Sequence, residues 1–336
     1  KTPVEIQLRG SSEIILKPGE VVYSDEISFH TEPGDRLAVS SYIAANQGIE
    51  SVCGFWARGG ATVELNSQGD ATDGREYEAV SSQEIYPLIK EDPSSLKAMF
   101  FYGFSAVQIY VDDFVKTVVA FGDSITHMGF VSNELYKRLY QKYPGYIVFQ
   151  NCGIGGNRLL QDATYIEDAP GHAKMFGVAG RKRFEEDVFG TDSVDSVLTL
   201  IGINDIMHPV QFECEGKVPV KAEELEEGYR YLAEVTKKHH ARIFGATITP
   251  CGNNQYPDQW LELFEKTREP VNEWLRNTDI FEKVFDYDAA VRDSDKRGYM
   301  KEEYHIGDGL HPNKKGGKAI VDVIDLSLLV GELSKK

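Results

Sequence analysis

The sequence predicts an α/β fold: a three-layer domain with a parallel sheet over residues 116–336, preceded by an all-β, jelly-roll-like accessory domain over residues 1–115. Three observations predict it. After residue 115, short apolar and β-branched runs alternate with longer amphipathic segments, which is the βαβ pattern of a parallel sheet. Before it, short alternating runs are broken by Pro-Gly turn signals and helical periodicity is weak, as in an antiparallel sandwich or jelly roll. Finally, small polar and glycine-rich motifs sit just beyond several apolar runs, where an open parallel sheet gathers its functional loops.

In the N-terminal part the strand candidates are Val4-Glu5-Ile6-Gln7-Leu8, Glu13-Ile14-Ile15-Leu16 and Leu37-Ala38-Val39-Ser40-Ser41-Tyr42-Ile43. Lys17-Pro18-Gly19 and Glu32-Pro33-Gly34-Asp35 supply the turns between them. In the second part, strands are expected at 118–121, 146–150, 194–201, 242–248 and 284–287. Helices are expected at about 131–142, 181–189, 222–239 and 258–276, with a last one at about 316–330. Leu225, Tyr229, Leu232 and Val235 follow a 4-3-3 spacing, so they share one helix face that should pack on the sheet. No repeat of 20 to 50 residues and no low-complexity linker is visible, so the two parts are expected to join directly.

Composition narrows the function classes. With 41% hydrophobic and 26% charged residues, the 336-residue chain reads as soluble and globular. Its formal net charge of -17 would repel a phosphate backbone, which excludes nucleic acid as a natural partner. No run of about 18 apolar residues is present, so no membrane span is expected, and the N-terminus has no signal-peptide core. The chain starts at Lys1 without an initiator methionine, as a processed or trimmed product would. Cys53, Cys152, Cys214 and Cys251 are scattered and read as mostly buried thiols, a usage that fits a reducing, cytoplasmic compartment, although their even number leaves one or two disulfides open. A homo-oligomer is compatible with this composition.

The chemistry lies in four motifs. Gly122-Asp123-Ser124 follows the run Thr117-Val118-Val119-Ala120, Gly153-Ile154-Gly155-Gly156-Asn157 follows the second strand candidate, and Gly202-Ile203-Asn204-Asp205 follows the third. Asp308-Gly309-Leu310-His311 precedes the last helix. A serine hydroxyl is a weak nucleophile until a base takes its proton and a third group fixes the tautomer of that base. Ser124, His311 and Asp308 are the residue types for those roles. The oxyanion formed on attack needs preorganised donors, which the N–H groups of Ser124 and Gly156 and the side-chain amide of Asn204 can supply. No metal or cofactor is needed for such a mechanism. Alone, Gly-Asp-Ser is an ordinary turn; four blocks in order, each at an element end, are what point to catalysis. Asp205 is an alternative acid, with structural support of its loop as the plainer reading, and Gly155 and Gly156 could simply shape a turn.

On these residues the chain resembles the GDSL, or SGNH, hydrolases, whose blocks carry Ser, Gly, Asn and His. Gly122-Asp123-Ser124 corresponds to the first block, Ile154-Gly155-Gly156-Asn157 to the second, Gly202-Ile203-Asn204-Asp205 to the third and Asp308-Gly309-Leu310-His311 to the fifth. The resemblance covers roughly residues 116–332. It implies a flavodoxin-like SGNH hydrolase domain, a catalytic set of Ser124, Asp308 and His311, and an oxyanion hole of Ser124, Gly156 and Asn204. One departure is His127-Met128-Gly129, where many relatives have an acidic residue followed by glycine. The family fixes a reaction class and not a substrate. The β-rich segment ahead of the hydrolase domain is similar to the arrangement in two-domain carbohydrate acetylesterases, which implies a serine esterase acting on short-chain, acetyl esters of carbohydrates. The alternatives are a lipase or thioesterase for longer acyl chains and, in another class, a non-catalytic glycan-binding protein.

Other polar residues have plainer readings. His127 and His208, next to the motifs, fit solvated loop histidines as well as pocket residues. His239-His240 sits at a helix end beside Lys237-Lys238, where positive groups suit the helix dipole. Tyr256 and Trp260 fit core packing better than a sugar or acyl platform, and Phe100-Phe101-Tyr102 fits a strand core.

Overall fold

The computed structural model describes residues 3–17, 20–32, 35, 37, 39–42, 53–54, 62–63, 80–81, 100–101, 105–162, 176–190, 193–212, 218–252 and 258–333. The chain divides into two compact units, one within residues 1–110 and one that includes everything from Val111 onward.

In the first unit, the described backbone forms four two-residue strands. β1 (Cys53–Gly54) pairs antiparallel with β4 (Phe100–Phe101), and β2 (Thr62–Val63) with β3 (Val80–Ser81). The runs at 4–8 and 13–16, expected as strands, form no ladder beyond the isolated bridge Leu8↔Ser11. There the chain turns on itself instead, with the Asp25 carboxylate accepting from the Arg9 and Gly10 N–H groups at 2.9 and 2.7 Å. Much of the jelly-roll reading for residues 1–115, including Ile43 and Tyr102, lies outside the described residues.

The second unit is a parallel α/β domain. Its sheet consists of β5 (Lys116–Gly122), β6 (Ile147–Gly153), β7 (Ser196–Leu200), β8 (Arg242–Ala246) and β9 (Lys283–Phe285), in the spatial order β6-β5-β7-β8-β9. All neighbouring strands are parallel. Counting only these five, the order is 2-1-3-4-5, the flavodoxin-like arrangement whose switch point lies between the first and third strands, here β5 and β7. Each expected strand is found, with ends shifted by a few residues.

Both faces of the sheet are covered, which explains strands that are apolar without strict alternation. Successive side chains point to opposite faces, so Val119 and Phe121 of β5 enter one core while Val118 enters the other. The first core receives Phe184 and Val188 of α3 (Gly180–Phe189) and Leu225, Tyr229, Leu232 and Val235 of α5 (Ala222–Lys238). It also takes Phe264, Val271 and Leu275 of α6 (Asp258–Asn277). Trp260 is buried there, stacked 5.5 Å from Phe264, as core packing requires; Tyr256 lies outside the described residues. The second core takes Leu135 and Leu139 of α2 (Ser132–Lys142), Ile320 and Val321 of α8 (Lys314–Asp322), and Leu329 and Val330 of α9 (Leu326–Val330). Cys251 is buried; Cys152 is half-buried, with its Sγ donating to Asp187 O at 3.3 Å.

Four local departures are found, the first with a capping cause. The single helix expected at 316–330 is two, because the Asp325 side chain accepts from Ser327 N and starts a new helix at Leu326. The segment after β7, where the sequence marked no helix, is helical from Ile203, with Pro209 inside, and forms α4 (Ile203–Gln211). A helical turn, α1 (Ser124–His127), begins at the serine itself, and a short helix, α7 (Tyr287–Val291), follows β9.

Candidate active site

Register decides where the motifs meet. Gly122, the last residue of β5, pairs with Gly153 of β6 and with Leu200 of β7, so three adjacent strands end level. Neighbouring strands run about 4.8 Å apart, and the segments carrying Ser124, Gly156 and Asn204 therefore leave the sheet side by side at its carboxyl edge, across the switch point.

Ser124 is buried at the first position of α1, whose N-cap is Asp123; the Asp123 Oδ1 accepts from Ile125 N at 3.0 Å. The remaining N–H groups of such a turn face outward with the positive end of their dipoles. Asp123 is fully buried, and among the described residues its Oδ2 has no hydrogen-bond partner. Desolvation pushes its carboxyl up to about 7, against the pull of Ile125 N–H, His311 and Arg183.

His311 reaches the serine from the far end of the chain. Its Nε2 is 2.8 Å from Ser124 Oγ and its Nδ1 2.6 Å from Asp308 Oδ2. Asp308 Oδ1 accepts from Leu310 N at 3.0 Å and His311 N at 2.9 Å, so the carboxylate is held on both oxygens. Burial pushes this carboxyl up, but the side chain and charge of His311 and the two backbone donors outweigh it and leave the carboxyl below its ordinary value. The loop is closed by Ile306 N donating to His311 O at 3.0 Å. His305 braces it from beneath: its Nδ1 accepts from Gly307 N at 3.0 Å and Gly309 N at 3.1 Å, on either side of Asp308.

The second motif is a tight turn in which Asn157 N donates to Ile154 O at 3.1 Å and Gly156 has φ +72°. A side chain at Gly156 would be strained there and would strike the Phe176 ring. Asn204, in the first turn of α4 and buried, donates one Nδ2 hydrogen to Asn157 O at 3.0 Å. The amide nitrogen carries a second hydrogen. Asp205 points the other way, accepting from Leu159 N at 2.6 Å and Leu160 N at 2.9 Å, while burial pushes its carboxyl up to about 6. It ties α4 to the chain that follows Gly156 and stands apart from the Ser124–His311–Asp308 chain of hydrogen bonds.

Two residues that the sequence assigns no role hold these loops together: Asn157, the last residue of the second motif, and Arg183. Asn157 donates to Phe176 O and Val178 O, both at 2.8 Å, and accepts from Arg183 Nε at 3.0 Å. Buried Arg183 of α3 also reaches Gly122 O and Cys152 O, both at 2.9 Å, and lies 4.2 Å over the Phe121 ring. In sequence it sits within Arg181-Lys182-Arg183 and reads as a solvated face; only Asp187 at i+4, which it contacts at 2.6 Å, hints otherwise.

Neither histidine beside the motifs is a solvated loop residue. His127 ends α1, and its Nδ1 accepts from Gly155 N at 3.0 Å. His208 is buried in α4 between Phe176 and Phe212, 5.0 and 4.9 Å away between ring centres. Desolvation first, and Arg158 next, push its imidazole down to about 3, so it is neutral. His239 caps its helix, stacks on Phe189 at 4.2 Å and meets Glu185 at 2.9 Å. Among the described residues no group of three His, Cys, Asp or Glu side chains could hold a metal ion, and no helix is long and apolar enough to cross a membrane.

Residues 120–319 match the model of the GDSL-like lipase/acylhydrolase family. Among solved structures, the chain is similar to LAE5, an alpha/beta hydrolase enzyme from the metagenome of Lake Arreo. The two are 19% identical with a TM-score of 0.44, over 67% of this chain and 99% of that one. A variant of the acetyl xylan esterase Axe2 from Geobacillus stearothermophilus is 21% identical with a TM-score of 0.45, over 66% and 97%. A GDSL-like lipase from Bacteroides thetaiotaomicron is 17% identical with a TM-score of 0.41, over 62% and 85%. No curated protein matches the sequence.

Proposed function

This chain belongs to the GDSL-like lipase/acylhydrolase family and is a carboxylic ester hydrolase, and from that premise we propose that it works through an acyl-enzyme on Ser124, with His311 as base and Asp308 orienting it. The observation that carries the reading is the unbroken pair of hydrogen bonds from Ser124 Oγ to His311 Nε2 to Asp308, at 2.8 and 2.6 Å.

Ser124 Oγ attacks the ester carbonyl carbon while its proton passes to His311 Nε2. The negative charge on the former carbonyl oxygen falls to the N–H groups of Ser124 and Gly156 and the second Nδ2 hydrogen of Asn204. Each such donor is worth roughly 100- to 1,000-fold in turnover. Collapse breaks the bond to the alcohol, which leaves with the proton from His311. A water molecule, giving a proton to His311, then attacks the acyl carbon, and the carboxylic acid departs as Ser124 regains its hydrogen. Asp308 stays ionised throughout and offsets the imidazolium charge.

The substrate we favour is a short acyl ester, acetyl on a carbohydrate. What supports it is the likeness of the β-rich segment and hydrolase domain to two-domain carbohydrate acetylesterases; beside the proposed oxyanion site the Phe176 ring packs on Gly156, with His208 and Phe212 against it. Hydrolysis of nitrophenyl acetate, butyrate and octanoate by wild type and Ser124→Ala tests both points. The expected result is loss of at least 1,000-fold activity in the variant, as removal of a triad nucleophile brings, and kcat/KM falling with chain length. Retained activity in Ser124→Ala would refute the nucleophile, and kcat/KM rising toward octanoate would favour a lipase or thioesterase. Acetate released from acetylated xylan, mannan and simple sugars then ranks the alcohol portion.

A further inference from the structure

We infer that His127 is a positioning residue of the oxyanion site, acting through Gly155 to aim the Gly156 N–H; this rests on the reading of Ser124 as nucleophile and Gly156 as donor. The observation is the hydrogen bond from Gly155 N to His127 Nδ1 at 3.0 Å, which joins the last residue of the serine helix to the second motif. A backbone N–H can only donate, so Nδ1 accepts, and the ring in this arrangement carries its proton on Nε2.

The turn needs such a brace. Gly155 and Gly156 occupy both central positions of the turn Ile154 to Asn157, and Gly156 has φ +72°, as the third position of a type II turn requires. The peptide between two glycines can rotate by half a turn with no side chain to oppose it, and that peptide carries the Gly156 N–H. Its direction is therefore set by what grips the two ends. The C-terminal end is gripped at Asn157, through Asn204 and Arg183. The N-terminal end is gripped by His127.

The brace is itself rigid. α1 lies so close to β6 that a Cβ on Gly153 would fall 2.5 Å from His127 N and 2.9 Å from His127 Cα, backbone against backbone. Ile154 N donates to Gly122 O at 3.0 Å on the same side. His127 thus leaves the same short helix that presents Ser124 and fixes the partner turn relative to it. In this way nucleophile and donor share one frame.

The test is the kinetics of His127→Ala and His127→Asn on nitrophenyl acetate, beside Ser124→Ala. With the acceptor gone, the turn samples both orientations, and kcat should fall about 10- to 100-fold, part of the cost of losing one oxyanion donor outright, while KM changes less than about threefold. His127→Asn keeps an acceptor near the Nδ1 position and should return to within about fivefold of wild-type kcat, a rescue that space-filling alone does not give. Should His127→Ala fail to fold, His127→Leu fills the space without an acceptor and carries the same comparison. The inference is overturned if the acceptor-free variant keeps wild-type kcat, if the loss appears in KM alone, or if His127→Asn is as impaired as the acceptor-free variant. An active Ser124→Ala would instead overturn the nucleophile itself, so the two failures are told apart.

Discussion

Replacing Asp308 with asparagine changes the shape of the site hardly at all and should nearly abolish turnover, for a reason visible in its hydrogen bonds. Oδ1 accepts from two backbone donors, Leu310 N and His311 N, at 3.0 and 2.9 Å. The asparagine oxygen must take that place, which turns its NH2 toward His311 Nδ1 at the former 2.6 Å contact. Two donors cannot share that contact, so Nδ1 gives up its hydrogen and accepts. The proton moves to Nε2, facing Ser124 Oγ 2.8 Å away, where a base is needed. Restoring the active tautomer means setting two donors against each other, at about 1–3 kcal/mol for each unsatisfied group. Loss of the charge-assisted bond that stabilises the imidazolium adds about 1.5–3 kcal/mol. Counting one unsatisfied donor and the lost charge-assisted bond, the combined cost of about 2.5–6 kcal/mol is roughly a hundred- to twenty-thousand-fold in kcat. KM should stay within about threefold, because no group that binds the ester has moved. Asp308→Ala leaves the tautomer free and should retain about tenfold more activity than Asp308→Asn, reversing the order expected from shape alone. Stopped-flow turnover of nitrophenyl acetate on variants with wild-type thermal unfolding is the assay. An Asp308→Asn enzyme within tenfold of wild type, or one better than Asp308→Ala, would refute the argument.

Three further outcomes are expected. Gly156→Ala forces a side chain into φ +72° and against Phe176, so it should destabilise the fold by about 1–2 kcal/mol or more and lower kcat at least tenfold by turning away an oxyanion donor; wild-type kcat would exclude Gly156 as that donor. Asp123 is raised to about 7, so between pH 4 and 7 the folded protein holds a proton that the unfolded chain has lost, and stability falls as pH rises. Asp205, raised to about 6, adds the same slope over a narrower window, while His208, lowered to about 3, gives the opposite slope between pH 3 and 6.5. From pH 6 to 7, Asp123→Asn should therefore remove a loss of up to about 1.4 kcal/mol per pH unit, read from urea midpoints; parallel curves for the two proteins would contradict this. His305→Leu leaves the Gly307 and Gly309 N–H groups without their acceptor and should cost about 1–3 kcal/mol in stability, with kcat falling about tenfold as Asp308 loses its bracing; unchanged unfolding and kcat would show that the loop holds itself.

The fold of the second unit was legible because its cause is local. Thr117-Val118-Val119-Ala120 is apolar and β-branched, the spacing of Leu225, Tyr229, Leu232 and Val235 suits one helix face, and each is where the sequence places it. The helices at Ser124 and Ile203 were not legible, because serine, glycine and an internal proline read locally as turn; the tertiary frame decides them. The same division runs through the site. The four motifs announce a serine, an acid, a base and two donors, because those residue types are dictated by the chemistry and sit in recognisable spacings. The strand register that sets Gly122 beside Gly153 and Leu200 involves pairs 31 and 78 or more positions apart, and no local pattern encodes it.

By itself, then, the sequence determined the reaction class, the identities of Ser124, Asp308 and His311 as the residues to consider, and the alternation that builds a parallel sheet. Tertiary structure alone decided that Asp308, and not Asp205, meets the imidazole, since both carboxylates follow element ends and only distance separates their roles. It also decided what Asn157, Arg183, His127 and His305 do. Asn157, Arg183 and His305 are buried and His127 half-buried, and each holds backbone groups of the loops that form the site. Hydrogen-bond satisfaction in a closed space depends on neighbours brought in from far along the sequence, and that is the part of the design that spacing and composition do not record.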